Sequence, residues 1–521
     1  MKKIIYIKSF LLIALLFFVS CNKQLLDYSD PNSINTQSYF NTPVQIQQAS
    51  IAVYSSFFYN HMFGWRWEEM FDGLANELNP QTAARSNEAN IMQFWQYQFT
   101  GSNDCISGYW NLLYRMILRA NLTIDKGNLY LKDNGANDVV SKSVGEAYFL
   151  RGWAYSQLAF YWGRVPIRTT YNQVGKEDAP RAAMVEDVWA VAEADFKQAQ
   201  TLLPASWDND NIGRATSGAA TGFLGKLYLY TKKYDNADVE FAQLNGKYSL
   251  LPFLKWNDNF GETNKNNEES VFEIQLNYKV GITKTYSPFV EPEGAANQPG
   301  RENAHQQLYG WNDWNNWMFQ PRMVEVFKYK DEGGNPYVDP RAQLTFYGGI
   351  GDSIWCEKCS VGPQKYDFAK LGYFYKKNLN KEYKESENTM ESSNNIRLMR
   401  YADVLLMRAE CKIKANVPNI PVAIGFINQV RSRVGAFTYN GSYTAAQAFE
   451  LLKRERQIEL MGEQNRFNDL KRWGILKETM NPELIAIGAA GTFQDKYYLF
   501  PIPQTELDTN LGFGTIANGW N

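Results

Sequence analysis

The sequence contains 521 residues, of which 45% are hydrophobic, and its formal net charge is −2, as is typical of a folded protein with a large core. Because basic residues are not in excess, the chain lacks the charge needed to hold a phosphate backbone, which argues against nucleic-acid binding. The two histidines, His61 and His305, offer little imidazole chemistry, whereas 15 Trp, 32 Tyr and 31 Phe make the chain rich in aromatic rings.

Residues 1–20 have the pattern of a bacterial lipoprotein signal peptide. Lysines near the start accompany an apolar run of about 16 residues, which is shorter than the roughly 20 that a transmembrane anchor, the alternative, requires. Ser20 supplies the small residue before the cleavage site, and Cys21 supplies a thiol that can carry diacylglycerol. We therefore predict a mature chain that starts at Cys21 outside the cytoplasm, is anchored to a membrane by lipid, and uses residues 21–42 as a polar tether.

Apolar residues at helical spacing predict a first helix over 44–58 and another over 109–125, separated by an irregular stretch rich in Trp and Asn. A mostly buried helix follows, with apolar residues every three or four positions from Ala147 until Pro166 stops it. The same pattern predicts a further helix over 186–203. The first half of the chain is therefore expected to be mainly α-helical.

Two helix pairs are predicted further along the chain. The first pair covers 217–231 and 234–244, with small residues that allow the helices to approach closely, and the second covers 401–416 and 422–434. Two adjacent helices of about 34 residues in total are the unit of a tetratricopeptide repeat. A final long helix is expected over 445–462.

Residues 250–395 show no sustained helical period, although 271–275 could form a short strand. Loops carried by a rigid frame often hold the binding site, so we expect this long insert to contribute to binding. Cys356 and Cys359 form a lone CxxC, which could be a local disulfide, a zinc site or a redox motif. The polar run 208–211 could suggest calcium, but it lacks the ligand spacing of an EF-hand and fits a polar turn.

Five sequence blocks occur in one order along the chain: GEAYFLRGWAYSQLAFYWGRVPI (145–167), GRATSGAATGFLGKLYLYTKKYDNA (213–237), LMRYADVLLMRAEC (398–411), RERQIELMGEQNRFNDLKRWG (454–474) and YLFPIPQTELDTN (498–510). Together with the signal pattern, these blocks resemble the starch-utilisation-system D family, also written SusD-like or RagB-like. Members of this family are outer-membrane nutrient-binding lipoproteins.

The resemblance implies one mostly α domain over 43–521. In such a domain about four tetratricopeptide-like helix pairs form a scaffold (about 43–60, 109–246 and 398–480), and the lobe that binds ligand is irregular, with a few short strands (about 61–108 and 250–397). The resemblance also implies a surface-exposed position at the outer membrane and a SusC-like TonB-dependent transporter as partner. Family members present glycans or peptides to that transporter without cutting them, so no cofactor and no catalytic residue is expected.

Charged residues in the fourth block have helical spacing that would permit acid or base catalysis. Arg454, Glu455, Arg456 and Glu459 lie three or four positions apart on one predicted helix, and Arg466, Asp469 and Arg472 follow. Ion pairs between helix layers are the simpler interpretation of such a pattern. We therefore predict that these residues are structural and that Trp473 packs.

Aromatic residues beside amides are the side chains that a sugar ring requires. The C–H face of a pyranose stacks on Trp or Tyr, and nearby Asn, Asp, Arg or Gln can satisfy its hydroxyls. Tyr286, in an adjoining loop, is one candidate ligand-binding residue. Two clusters that fit by composition supply the other candidates, which are Trp65, Trp67, Asn79, Trp95, Tyr309, Trp311, Trp314 and Trp317. The last three stand at steps of three and predict a continuous aromatic ridge on a helix, although some of them could instead face the core of the lobe.

The leading hypothesis is a surface lipoprotein that binds oligosaccharide or polysaccharide and delivers it to the transporter. One alternative keeps that role with a peptide ligand, and another is a helical-repeat scaffold that only holds proteins together. A hydrolase is the fourth possibility, but the sequence contains no nucleophile elbow, zinc-protease motif, P-loop or dinucleotide fingerprint. No metal ligand is predicted.

Overall fold

The computed structural model describes residues 39–81, 88–171, 178–277, 305–310, 315–348, 353–356, 364–367, 370, 372–379, 392–514 and 520. The predicted signal peptide, Cys21 and nearly all of the tether lie outside these residues, as do Tyr286, Trp311, Trp314 and Cys359. Within the described segments, none of the helices combines the length and the apolar character that crossing a bilayer requires.

Helices dominate the described chain. The α-helices in chain order are α1 (Pro43–Tyr54), α2 (Asn60–Phe63), α3 (Trp65–Ala75), α4 (Ala89–Trp95), α5 (Asp104–Asn134), α6 (Asp138–Tyr161), α7 (Val185–Leu202), α8 (Ser217–Tyr230), α9 (Tyr234–Ala242), α10 (His305–Tyr309), α11 (Pro321–Glu325), α12 (Ala342–Thr345), α13 (Tyr401–Lys414), α14 (Ile420–Arg433), α15 (Ala445–Leu460), α16 (Arg466–Trp473), α17 (Leu476–Ala486) and α18 (Gln504–Thr509). Short 3-10 helices occur at Ser55–Phe58, Asn209–Asn211, Phe253–Phe260 and Asp495–Tyr498.

The strands are short and pair in twos. They are β1 (Leu78–Pro80), β2 (Ser270–Ile274), β3 (Trp317–Phe319), β4 (Lys328–Lys330), β5 (Pro336–Val338), β6 (Phe346–Tyr347), β7 (Ser353–Cys356), β8 (Gln364–Asp367), β9 (Phe374–Tyr375) and β10 (Ile396–Arg400). The antiparallel pairs are β1–β3, β2–β10, β4–β5, β6–β9 and β7–β8. Because a two-stranded sheet is marginally stable alone, the lobe depends on its contacts with the helices.

The scaffold helices pack in succession: α5 contacts α6, α6 contacts α7, α7 contacts α8, α8 contacts α9, α9 contacts α13, and α13 contacts both α14 and α15. Both predicted helix pairs, α8–α9 and α13–α14, are confirmed. Capping residues explain where several helices begin, since Asn103, Asn137 and Thr444 each accept a hydrogen bond from a backbone N–H of the following first turn. The predicted mostly α, tetratricopeptide-like architecture is therefore confirmed.

The region 61–108 is more regular than predicted, because it contains α2, α3 and α4. Charged residues at buried positions interrupt the apolar periodicity that would identify a helix. Glu68, Glu69 and Asp72 on α3 are buried, whereas periodicity assigns such residues to the solvent-exposed face. Helix α5 also begins earlier and ends later than the predicted 109–125. The predicted strand at 271–275 is confirmed as β2, within one residue.

Buried ion pairs join the lobe to the scaffold. Arg341 in the lobe contacts both Glu455 and Glu459 of α15, and Arg400 at the end of β10 contacts Glu459. Burial by itself would raise the pKa of Glu459, but the charges of Arg433, Arg400 and Arg341 outweigh it and hold the pKa well below its usual range.

The predicted structural role of the charged fourth block is confirmed by its contacts. Arg456 pairs with Asp403 and Asp469, and Arg472 pairs with Glu410. Trp473 donates its indole N–H to Glu410 and packs against Phe449.

The structure describes Cys105, Cys411 and the polar run 208–211, but it does not describe the CxxC pair in full. Cys411 and Cys105 are both buried, and both have free thiols. The backbone of Cys356 belongs to β7, but its side chain is outside the described part of the molecule, so the CxxC interpretations stay predictions. Asp208 accepts a hydrogen bond from the Asn211 amide across a 3-10 turn, as expected for a polar turn.

Candidate functional site

A cavity of about 110 Å³ lies between the scaffold and the lobe. Helices α6, α7 and α8 form one side of it, and the other side comes from α2, α3 and the segments 394–398 and 463–468. The site therefore draws on parts of the chain that are far apart in sequence, and the rigid scaffold fixes their positions.

Aromatic rings from four helices line this cavity. Trp67 comes from α3, Phe160 from α6, Trp189 from α7 and Tyr230 from α8. All four side chains are half-buried, so each combines a packed edge with some exposed ring surface. Exposed faces of this kind can stack on flat ligands that have an apolar face.

Amide side chains stand beside the aromatic rings. Gln157 accepts a hydrogen bond from the Tyr109 hydroxyl at 3.2 Å, and Asn468 accepts one from the Tyr161 hydroxyl at 2.7 Å. Because the scaffold tyrosines occupy the amide oxygens, the side chains have defined orientations. Asn378 and Asn465 add further amides to the wall. The cavity can therefore offer hydrogen bonds next to stacking surfaces.

Several charged groups in the wall have a polar or charged partner close by. Glu68 lies 3.2 Å from the ring nitrogen Nδ1 of His305, and Arg397 pairs with Glu273 at 2.9 Å. Glu463 contacts Arg400 at 2.8 Å. Since Arg397 and Glu463 have oppositely charged partners, the wall favours an uncharged polar ligand over a strongly charged one.

The two clusters predicted from the sequence meet in the structure. The register of β1 and β3 places Pro80 opposite Trp317 and Asn79 opposite Met318. Trp317 donates its indole N–H to Glu69 at 2.8 Å, and the Tyr309 hydroxyl donates to Asp72. Buried acidic side chains of α3 therefore link the two clusters.

Trp317 and Tyr309 are 0% exposed, so in this structure neither side chain presents a surface for stacking. The predicted helical ridge is wrong at its third member, because Trp317 lies in strand β3 and Asn315 before it has φ of 47°, outside the right-handed helical region. Trp317 faces the core of the lobe, which was the alternative interpretation of this run.

The other candidate residues have different surroundings. Trp95 is 4% exposed on α4, so it too lies in the core, whereas Asn79 is half-buried. Trp67 lines the cavity. Trp65 begins α3, but its side chain is outside the described part of the chain, as are Tyr286, Trp311 and Trp314. A contact between these four residues and ligand stays a prediction.

Burial changes the acidity of two carboxyl groups on α3, those of Glu69 and Asp72. It raises the pKa of Glu69 to about 8, although hydrogen bonds from Trp317 and Asn316 oppose the rise. Burial likewise raises the pKa of Asp72 well above its usual range, and it raises that of Glu77, just after α3, to about 7. At neutral pH this cluster is therefore partly protonated, and its groups act as hydrogen-bonding anchors.

Several residues of the cavity were not singled out by the sequence analysis. Phe160 and Tyr230 belonged to helices predicted as scaffold, and Trp189 stands beside the buried stripe of α7. The sequence did contain one signal for these cavity residues: each is an aromatic residue beside an apolar stripe that already suffices to form the buried face of its helix. Asn378 and Asn465 gave none, because Asn is common in polar turns.

Two family models together match most of the chain. A model described as "SusD family" matches residues 268–520, and one described as "Starch-binding associating with outer membrane" matches residues 24–229. The chain belongs to the SusD/RagB-like family. Because this is a family of binding proteins, the prediction that the chain is not an enzyme is confirmed.

Relatives of this SusD-like chain cover nearly its whole length. SusD-like protein P25 from Formosa agariphila is 24% identical over 529 aligned residues, which cover 94% of each chain. A solved SusD superfamily protein from Bacteroides vulgatus has a TM-score of 0.76 and 26% identity, and the match covers 92% of this chain and 99% of its own.

A third relative is surface glycan-binding protein A from Bacteroides thetaiotaomicron, solved in complex with laminarihexaose. It has a TM-score of 0.72 and 19% identity, and the match covers 91% of this chain and 99% of its own. At this identity the likeness shows the shared fold.

Proposed function

We propose that this SusD-like protein binds an uncharged oligosaccharide or polysaccharide at the cell surface and delivers it to a TonB-dependent outer-membrane transporter. The observation that carries the proposal is the wall of the cavity, where Trp67, Trp189 and Tyr230 stand beside oriented amides and paired charges. The rings can cover the C–H face of a sugar, and the amides can satisfy its hydroxyls. The laminarihexaose complex of a protein with the same fold supports this ligand class.

The predicted aromatic residues outside the described chain extend this proposal. Trp311 and Trp314 follow α10, whose first residue, His305, lines the cavity. We propose that they, with Trp65 and Tyr286, contribute further stacking surface for a ligand longer than the cavity itself. A polysaccharide chain would then bind partly in the cavity and partly beyond it.

Isothermal titration against a panel of plant, host and microbial glycans, with peptides as a parallel panel, tests the ligand class. We expect at least one neutral glycan to bind and Trp189→Ala to weaken it about tenfold, since a stacked ring contributes about 1.5 kcal/mol. Trp207→Ala, a half-buried tryptophan outside the cavity, is the matched control and should leave the affinity unchanged. If only peptides bind, the ligand is a peptide, and the proposed delivery to the transporter applies to peptides instead of glycans.

The transporter partner and the lipid anchor form the second part of the proposal. The family description names association with the outer membrane, and Cys21 supplies the thiol for acylation. We expect Cys21→Ala to move the protein from the outer-membrane fraction to a soluble one, and affinity purification of the anchored protein to recover a TonB-dependent transporter. An unmodified amino terminus on protein from the native membrane would contradict the anchor.

A further inference from the structure

Three side chains with metal-binding atoms meet where α2 contacts α5. His61 lies on α2, and Asp104 and Cys105 are the first two residues of α5. One ligand atom from each of the three lies within 4.8 Å of the others. The imidazole Nε2 of His61 is 3.8 Å from Oδ2 of Asp104, and Sγ of Cys105 is 3.6 Å from Oδ1.

These separations also suit a shared metal ion, and only that between Cys105 and Asp104 is short enough for a hydrogen bond, from the thiol to Oδ1. The gap of 3.8 Å exceeds the length of an N–H···O bond. Two ligand atoms bound tetrahedrally at about 2.0–2.3 Å from zinc lie roughly 3.3–3.8 Å apart. Nε2 of His61 is also buried without a hydrogen-bond partner in the described part of the chain, which is an uncommon state for a polar atom.

The surrounding residues hold the three ligands in place. A Cβ atom at Gly108 would lie 2.4 Å from Cγ of His61, so the imidazole occupies space that only glycine leaves open. The amide of Asn90 donates to Oδ1 of Asp104 at 2.7 Å. Asn103 caps α5 by accepting a hydrogen bond from the backbone N–H of Cys105. Such outer contacts are typical of the residues that orient metal ligands.

We propose that His61, Asp104 and Cys105 form a Zn²⁺ site. A neutral imidazole, a carboxylate and a thiolate are ligands that zinc accepts, and the two anions balance its charge. The proton of the Cys105 thiol leaves to solvent as the zinc–sulfur bond forms. The Asp104 side chain is 45% exposed, which leaves room for a water molecule as the fourth ligand.

The site would fasten α2 to the start of the long helix α5. Phe63 on α2 and Trp67 on α3 both line the cavity, so the metal would stiffen one wall of the proposed glycan site. The metal site itself does not depend on the proposed glycan function, because its ligands point to a different place in the molecule.

Zinc uptake by the purified protein, carrying a tag without histidine, tests the site. The background is Cys21→Ala with Cys356→Ser and Cys359→Ser, which removes the amino-terminal thiol and the CxxC pair as competing ligands. Competition with a chromophoric chelator should give one Zn²⁺ per chain. Cobalt in place of zinc should produce a thiolate-to-cobalt charge-transfer band.

Cys105→Ala and His61→Gln should each weaken zinc binding at least tenfold, and Gly108→Ala should weaken it by displacing the imidazole. Cys411→Ala and His305→Gln, which change the other buried thiol and the other histidine, should retain one Zn²⁺ per chain. Circular dichroism melts establish whether each variant is folded.

Three results would overturn the site: no zinc bound by the background protein, no charge-transfer band with cobalt, or unchanged affinity in Cys105→Ala and His61→Gln. If a ligand variant does not fold, the cobalt band decides the question. A band that persists in Cys411→Ala assigns the thiolate to Cys105, whereas a band lost there removes Cys105 as a ligand.

Discussion

At the scale of single residues, Glu69 shows how this chain uses a buried acid. One carboxylate oxygen accepts hydrogen bonds from Trp317 and Asn316, and the other has no hydrogen-bond partner among the described residues. Burial raises the pKa of the group to about 8, so the folded protein keeps a proton that the unfolded chain releases near pH 4.5. Its contribution to stability is therefore largest at acid pH and falls as the pH rises towards 8.

We expect Glu69→Gln to remove this pH dependence. The amide keeps an acceptor for Trp317 and does not ionise, so the variant should gain on the wild type by up to about 1.4 kcal/mol per pH unit between pH 5 and 8. Free energies of unfolding measured in urea at several pH values check this. The exposed Glu325→Gln, which changes only a surface ion pair with Lys328, should run parallel to the wild type, and parallel curves for Glu69→Gln would contradict the buried-acid account.

The residues that the sequence could not assign are those whose burial contradicts their chemistry. Trp317 and Tyr309 occur in a polar run that suggests exposure, yet each is buried because a carboxylate of α3 accepts its hydrogen bond. Local composition cannot reveal a partner more than 200 residues away. The sequence analysis identified the two clusters but did not predict that they are neighbours, and composition could not reveal that Trp317 and Tyr309 are buried.

At the scale of elements, periodicity predicted the scaffold helices well, since their apolar stripes pack on one another. It failed for α3, where carboxylates take positions on the buried face. The sequence analysis also attributed the small residues of the first helix pair to the contact between its two helices, which is too simple for α8. Of the glycines on α8, Gly225 faces α9, whereas Gly222 faces Met399 and Gly218 faces Tyr248.

Gly225 should be the glycine that sets the spacing of the α8–α9 pair. A Cβ atom there would lie 2.7 Å from the Phe241 ring, so Gly225→Val should destabilise the protein by about 1–3 kcal/mol through overpacking. The matched control is Gly425→Ala on α14, where the new methyl group meets no described atom within 4 Å. That change should stabilise the helix by about 0.5–1 kcal/mol. Thermal unfolding of both variants checks the contrast, and equal melting temperatures would contradict it.

At the scale of the whole molecule, buried ion pairs connect the lobe to the scaffold in addition to the β2–β10 strand pair. Glu459 on α15 contacts Arg341, Arg400 and Arg433, which come from three separate segments of the chain. The sequence predicted ion pairs for this helix from its spacing. It could not identify their partners, because contacts between distant segments leave no periodic signal.

Neutralising Glu459 should loosen the lobe. Glu459→Gln leaves several buried guanidinium groups short of negative charge and should cost about 3–5 kcal/mol. Glu450→Gln, an exposed position on the same helix that pairs with Lys453, should cost less than about 0.5 kcal/mol. Urea unfolding measures both values. Similar losses in the two variants would show that the network contributes little.

The pKa of Glu459 has a consequence opposite to that of Glu69. Because the folded value is well below 4.5, the network stabilises the protein above that pH and loses strength in stronger acid. The stability of the wild type should therefore pass through a maximum on the acid side of neutrality. In Glu459→Gln, the fall in stability below the pH of that maximum should be smaller than in the wild type. A pH series of melting temperatures checks this shape.

The arrangement of Arg341, Arg400 and Glu459 also determines when the protein can finish folding. Synthesis proceeds from the amino terminus, so both arginines emerge before the carboxylate that they share. Until α15 has been made, Asp339 is the carboxylate partner available to Arg341 and Glu269 is the one available to Arg400 among the described residues. The ion pairs of both arginines with Glu459 can therefore form only after α15 has been synthesised.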